Sequence, residues 1–121
     1  MNSAVLWIAI AAAGALGAIA RFTIDGHVHA RTNQLGWGTT FINLSGALAL
    51  GLMAGLAPAH AIVLIVGIGF FGAYTTFSTW ILEAVLSADA GRIRTAATLA
   101  IGQLVIGLGC AALGYLAGVH L

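Results

Sequence analysis

The sequence predicts an all-α membrane protein, a single domain over residues 1–121 built from four transmembrane helices. Three observations carry this. Of 121 residues, 61% are hydrophobic and only 6% are charged, more apolar surface than a soluble domain of this size can hide. The mean hydropathy is +1.09. Apolar runs of about 20 residues, the length a helix needs to cross a bilayer, recur along the chain with short polar breaks between them. The formal net charge of +1 gives a polyanion little to bind, so membrane lipid is an expected partner and nucleic acid is not.

The first span is expected over about residues 4–24. Met1-Asn2-Ser3 ahead of it carries no basic residue, so no cleaved signal peptide is expected. Residues 25–36 read as the longest and most polar loop. The second span covers about 37–57. Trp7 and Trp37 fall near the expected interfaces, where tryptophan is enriched. Pro58-Ala59-His60, with the only proline, reads as a tight turn. The third span runs over about 61–86. A connection over 87–94 carries Asp89, Arg92 and Arg94, and the fourth span follows over about 95–118. Cys110, the only cysteine, excludes an internal disulfide.

Four spans put both termini on one side. Arg31, Arg92 and Arg94 lie in the first and third loops, and Arg21 lies beside the first. The excess of positive charge on cytoplasmic loops then favours termini outside the cytoplasm. Gly51-xxx-Gly55, Gly114-xxx-Gly118 and the pair Gly14/Ala18 allow close helix approach, which reads first as ordinary packing. Four helices enclose a polar path poorly, so an oligomer is expected.

Polar residues within spans are costly and mark candidate function. Thr39 and Asn43 are four apart, on one helix face; they can contact a passing solute or bond to a neighbouring helix. In the third span Gly69 and Gly72 weaken the helix, while Thr75, Thr76, Ser78 and Thr79 can satisfy backbone groups that a break would free. A break would leave carbonyls suited to a small cation; the other reading is an intact helix whose hydroxyls bond to the preceding turn. Phe77 and Trp80 share a face. Their electropositive ring edges can approach an anion, and core packing is the alternative. Arg21 can snorkel, cap a helix end or draw anions to a pore mouth. Glu83 either lines a wet vestibule or snorkels. His27, His29, His60 and His120 read as solvated histidines of loops, turn and terminus rather than metal ligands. No phosphate-binding loop, nucleophile elbow or metalloprotease motif is present, so an enzyme is not expected.

Gly17-Ala18-Ile19-Ala20-Arg21-Phe22 resembles the G-A-x-x-R-[YF] end of the first helix in the Fluc (CrcB) fluoride channels. Gly38-Thr39-Thr40-Phe41-Ile42-Asn43-Leu44-Ser45-Gly46 is similar to that family's G-T-x-x-[VI]-N-x-x-G. The run from Gly69 to Trp80, GFFGAYTTFSTW, is similar to G-F-x-G-x-x-T-T-F-S-T-[F]. The motifs fall in order in the first three spans, and the resemblance covers the whole chain.

The resemblance implies a multi-pass protein of a bacterial-type plasma membrane, assembled as an antiparallel, dual-topology dimer with a broken third helix in each protomer. Two pores along the subunit interface would carry fluoride passively out of the cytoplasm. The backbone carbonyls of Gly72 and Thr75 from both subunits would enclose a central structural Na⁺. Phe77 and Trp80 would supply aromatic edges, Asn43 would hold and line the path, and Thr39, Ser78 and Thr79 would add polar contacts. Arg21 and Glu83 would belong to the vestibule. Three departures stand out. Trp80 replaces the usual second phenylalanine; its indole N–H is a donor available to the anion, and its bulk narrows a pore. Leu99 and Gln103 take the places of a tyrosine and a serine in the fourth helix. The arginine asymmetry opposes insertion of one sequence both ways round, which leaves a homodimer with weak bias or a heterodimer with an oppositely oriented paralogue. The competing function is a small multidrug-resistance-type proton-coupled exporter, whose mechanism needs an acid within the first span; here Asp25 lies beyond it.

Overall fold

A computed structural model describes residues 2–34 and 36–121. Among them there is no strand, and four helices are long and apolar enough to cross a membrane: Ser3–Thr32, Trp37–Leu56, His60–Asp89 and Ile93–Val119. The third is interrupted. We number the helices α1 (Ser3–Thr32), α2 (Trp37–Leu56), α3 (residues 60–74), α4 (Phe77–Asp89) and α5 (Ile93–Val119).

Helix α1 begins where the Asn2 side chain accepts from the Ala4 N–H at 2.8 Å. It ends at Asn33, whose left-handed backbone (φ 49°) lets its N–H close on the His29 carbonyl. Its 30 residues reach about 45 Å, more than the hydrocarbon core requires. The segment 25–32, expected as loop, is therefore helical, and His27 and His29 lie on it. It is polar, but it contains no proline, and its hydroxyl and imidazole groups bond back to the preceding turn (Thr32 to the Val28 carbonyl, His27 to that of Thr23). Polarity marked the edge of the membrane, not the end of the helix.

Two seams of small residues hold the bundle. Gly51 and Gly55 on α2 face Gly114 and Gly118 on α5: an added Cβ at Gly114 would collide with the Leu48 carbonyl, and one at Gly51 with the Ala111 carbonyl. The two small-residue motifs thus pack against each other, backbone to backbone. On the other side, α1 meets α3, with Gly17 against the Phe70 carbonyl and Gly69 against that of Ile10. Gly17, rather than the Gly14/Ala18 pair, makes the tightest approach.

Both α3 and α5 contain π-helical turns, at Val63–Phe71 and Thr98–Gly102. Such turns often accompany functional sites. The interior is unusually polar beside a small apolar core of Ile42, Tyr74 and Ala84. Thr39, Thr76, Glu83, Ser87 and Gln103 are buried, while large apolar side chains from Trp7 to Leu121 cover the outside. That distribution suits a lipid solvent, in which apolar side chains lose nothing by facing outwards and polar groups gain from an interior.

Candidate functional site

The interruption of the third span is a two-residue extended segment. Thr75 (φ −78°, ψ 158°) and Thr76 (φ −147°, ψ 126°) leave helical geometry, and α4 restarts at Phe77. Gly69 and Gly72 were the residues expected to weaken this helix; both remain helical, and the break falls just after them.

Asn43 of α2 fixes its position. Its Oδ1 accepts from the Thr76 N–H at 2.9 Å, and its Nδ2 donates to the Thr76 carbonyl at 2.9 Å. One side-chain amide so replaces the ladder partner of a strand residue and satisfies both backbone groups of Thr76. The Thr76 hydroxyl completes the restart by accepting from the Thr79 N–H at 3.3 Å, as a helix N-cap does. Thr75 turns its hydroxyl back to the Phe71 carbonyl at 2.9 Å.

This arrangement frees carbonyls. In a continuous helix the Thr76 N–H would close on Gly72 and the Thr79 N–H on Thr75. Those two donors go instead to Asn43 and to the Thr76 hydroxyl. The Gly72 and Thr75 carbonyl oxygens are thereby deprived of their helical donors, the condition a carbonyl-bound cation requires. No group of three His, Cys, Asp or Glu side chains suited to a metal occurs among the described residues.

A chain of hydrogen bonds runs sideways from the break into α5. The second Nδ2 hydrogen of Asn43 goes to Gln103 Oε1 at 3.1 Å, and Gln103 Nε2 donates to the Thr40 hydroxyl at 2.8 Å. Both amide protons of Asn43 are therefore used. Thr39 lies one turn away on α2, fully buried, and donates to Glu83 Oε1 of α4 at 2.9 Å. The Thr39/Asn43 ridge thus serves helix–helix bonding. Glu83 is only 7% exposed, so it does not snorkel. Its second oxygen and the Ser87 hydroxyl, one turn on, are buried without a protein partner among the described residues.

Three cavities surround these groups. The first, about 420 Å³, opens at the break and is lined by Asn43, Thr75, Thr76, Phe77, Trp80 and Gln103 among apolar residues of α2 and α5. Phe77 is 69% exposed within the protomer, so it is not a core residue. Its ring meets Trp80 edge to face, with centroids 5.4 Å apart and planes at 90°. The Trp80 indole N–H donates to the Leu99 carbonyl in the π-helical part of α5. Trp80 consequently offers the chamber no free donor. A second cavity, about 150 Å³, contains Arg21, Asp25, Thr39, Thr76 and Thr79, and so joins Arg21 to the break. A third, about 500 Å³, lies between the first turns of α2 and α5 and includes Arg94.

The structure brings Thr39, Asn43, Gly72, Thr75, Phe77, Ser78, Thr79, Trp80, Arg21 and Glu83 to one region around the break. Ser78 is exposed, its hydroxyl 3.4 Å from that of Thr76. Two residues outside the expected pore, vestibule and cation set prove central, and one of them, Thr76, was expected only among the hydroxyl residues that satisfy backbone groups at a break. Thr76 is the clamped residue, and a threonine directly ahead of a helical run is a recognisable N-cap signal. Thr40 anchors Gln103 and carried no comparable signal.

Residues 8–115 match the family described as CrcB-like protein, Camphor Resistance (CrcB). Similar proteins include one from Mycolicibacterium paratuberculosis named fluoride-specific ion channel FluC 2, 37% identical over 115 residues and 94% of each chain. Another, from Leifsonia xyli, is named fluoride-specific ion channel FluC 1 and is 42% identical over 88% of this chain and 82% of its own. A third, from Rubrobacter xylanophilus, bears the same name and is 39% identical over 98% of this chain and 96% of its own.

Proposed function

The chain belongs to the CrcB-like family, and from that premise we propose that it is a fluoride-selective passive channel that lets cytoplasmic fluoride leave down its electrochemical gradient. It is a multi-pass membrane protein with bacterial relatives, which puts it in the plasma membrane. It carries out transport, not catalysis.

One observation carries the reading at the level of chemistry: the chamber at the break is lined by neutral polar groups and two aromatic rings, with no charged side chain among its described residues. Fluoride is small and strongly hydrated, so a path must replace its water. A full positive charge would hold the ion; several weak sites let it move on. Donors remain available. The Thr76 hydroxyl donates to that of Thr79, which leaves the Thr79 proton free, and Ser78 is exposed beside it. Phe77 and Trp80 add ring edges. Asn43 holds the break rather than donating freely to the ion, and Arg21 draws anions towards Thr76 from outside the chamber.

The pores would run along the interface of an antiparallel dimer, whose partner is a second copy or a paralogue; relatives named FluC 1 and FluC 2 fit the second possibility. The Gly72 and Thr75 carbonyls of both subunits would hold a central Na⁺, whose charge offsets the freed carbonyl dipoles and favours a nearby anion. Exchange of Na⁺ for N-methylglucamine is expected to lower both fluoride flux and the melting temperature of the dimer. Indifference of both would remove the cation site.

The function itself is tested in liposomes with a fluoride electrode. Rapid F⁻ release is expected, with Cl⁻ release slower by orders of magnitude. Export of organic cations driven by a pH gradient, without F⁻ release, would overturn the reading in favour of a proton-coupled exporter.

A further inference from the structure

Helix α2 holds Thr75 from both sides. Asn43 grips the residue after it, Thr76. The residue before it, Tyr74, is gripped two places further along α2, where its phenol oxygen lies 2.9 Å from Ser45 Oγ. The Ser45 proton goes to the Ile42 carbonyl at 3.1 Å, so the phenol O–H is the donor of this bond. Tyr74 is buried, and Phe70 and Phe71 flank its ring, the first stacked at 5.8 Å and the second edge to face at 6.0 Å. Between the two grips Gly46 makes room for Thr75: an added Cβ there would collide with Thr75 Cγ2. Ser45 and Tyr74 fall at unspecified positions of the family motifs quoted above, so their bond is not part of those motifs.

We propose that the Tyr74–Ser45 bond is a second brace of the break, and that these two positioning residues set the Thr75 carbonyl for a small monovalent cation, Na⁺ in preference to K⁺. The inference rests on the cation site proposed above. The direction of that carbonyl follows from the backbone of Thr75, at ψ 158°, and from the peptide plane it shares with Thr76. Asn43 fixes the far edge of the plane through the Thr76 N–H. The near edge hangs from Tyr74, the last residue of α3. The N–H and the hydroxyl of Thr75 both return to the Phe71 carbonyl, inside α3, and so move with it. The phenol ties that end of α3 to α2. A carbonyl held at both edges has little freedom left to lose, which strengthens binding. It also gives way poorly to a larger ion, and the size and flexibility of an oxygen cage are what separate one hard cation from another.

The melting temperature of the dimer tests this, with protein prepared in N-methylglucamine and titrated with Na⁺ or with K⁺. Tyr74→Phe deletes the hydroxyl and keeps the ring between its neighbours. It is expected to raise the Na⁺ concentration at half-maximal stabilisation several-fold and to bring the Na⁺ and K⁺ midpoints closer together. Ser45→Ala should do the same, and stands in if Tyr74→Phe does not assemble. The double variant separates positioning from stability. It removes the phenol O–H that Ser45→Ala leaves unpaired, so its melting temperature without cation should return towards that of the unsubstituted protein, while its Na⁺ midpoint stays raised. An unchanged midpoint in Tyr74→Phe, or a midpoint that recovers along with the melting temperature in the double variant, overturns the brace. If Na⁺ gives the unsubstituted protein no stability, the cation site falls and the brace with it. Stabilisation by Na⁺ that Tyr74→Phe leaves untouched sinks the brace alone.

Discussion

Asn43→Leu is expected to end fluoride release and to destabilise the protein together. The substitution is close in volume, so it leaves no cavity, but it strips the partners from three buried groups: the Thr76 N–H, the Thr76 carbonyl and Gln103 Oε1. A buried group left unpaired costs about 1–3 kcal/mol, and hydrogen bonds within membranes sit at the lower end, so a loss of about 2–4 kcal/mol is expected. Thr76 then has no reason to stay extended. Its N–H closes on the Gly72 carbonyl, the helix runs on, and the free carbonyls and the turned hydroxyls disappear as a set. Release should fall by about a hundredfold or more, the equivalent of roughly 3 kcal/mol in the barrier. Asn43→Asp keeps the acceptor for the Thr76 N–H but turns a carboxylate oxygen onto the Thr76 carbonyl and Gln103 Oε1, so it should melt no higher than Asn43→Leu and also pass no fluoride. A wild-type melting temperature for Asn43→Leu, with flux lost, would make Asn43 a pore ligand and not the clamp of the break.

That clamp marks where sequence reading stops. The run from Gly69 to Trp80 announces an interruption because glycines and hydroxyl residues accumulate where lipid demands an unbroken helix. The residue that decides its position lies 33 places away on α2, and no local pattern specifies that pairing. The same limit governs the seams. The spacing of Gly51/Gly55 and Gly114/Gly118 shows two surfaces that tolerate backbone approach, but spacing does not say that each is the other's partner. The π-helical turns have no composition of their own and were invisible. Segment 25–32 misled for a different reason: it is polar, and a helix that has left the bilayer has no need of apolar residues. For Trp80, sequence exposes a donor, and only the packing of α4 on α5 reveals that Leu99 takes it.

Phe77→Ile isolates the aromatic contribution. Phe77 lies next to the clamped Thr76, yet its side chain enters none of the hydrogen bonds that hold the break, and it is largely exposed in the protomer. Isoleucine retains the apolar bulk and removes the ring, whose electropositive edge is the feature that attracts an anion. By analogy with a desolvated cation on a ring face, the edge is worth about 2 kcal/mol to the moving ion, so release should fall by about thirtyfold or more. Dimer content and melting temperature should stay near wild type, in contrast to Asn43→Leu. Trp80→Phe is the matched control: it deletes the indole N–H that bonds to Leu99 but keeps a ring beside Phe77, so flux should change only slightly. Wild-type flux through Phe77→Ile would show that neutral hydroxyl and amide donors suffice for the ion and that the perpendicular pair is packing alone. A large loss in Trp80→Phe with none in Phe77→Ile would move the decisive contact from the ring edges to the π-helical turn of α5.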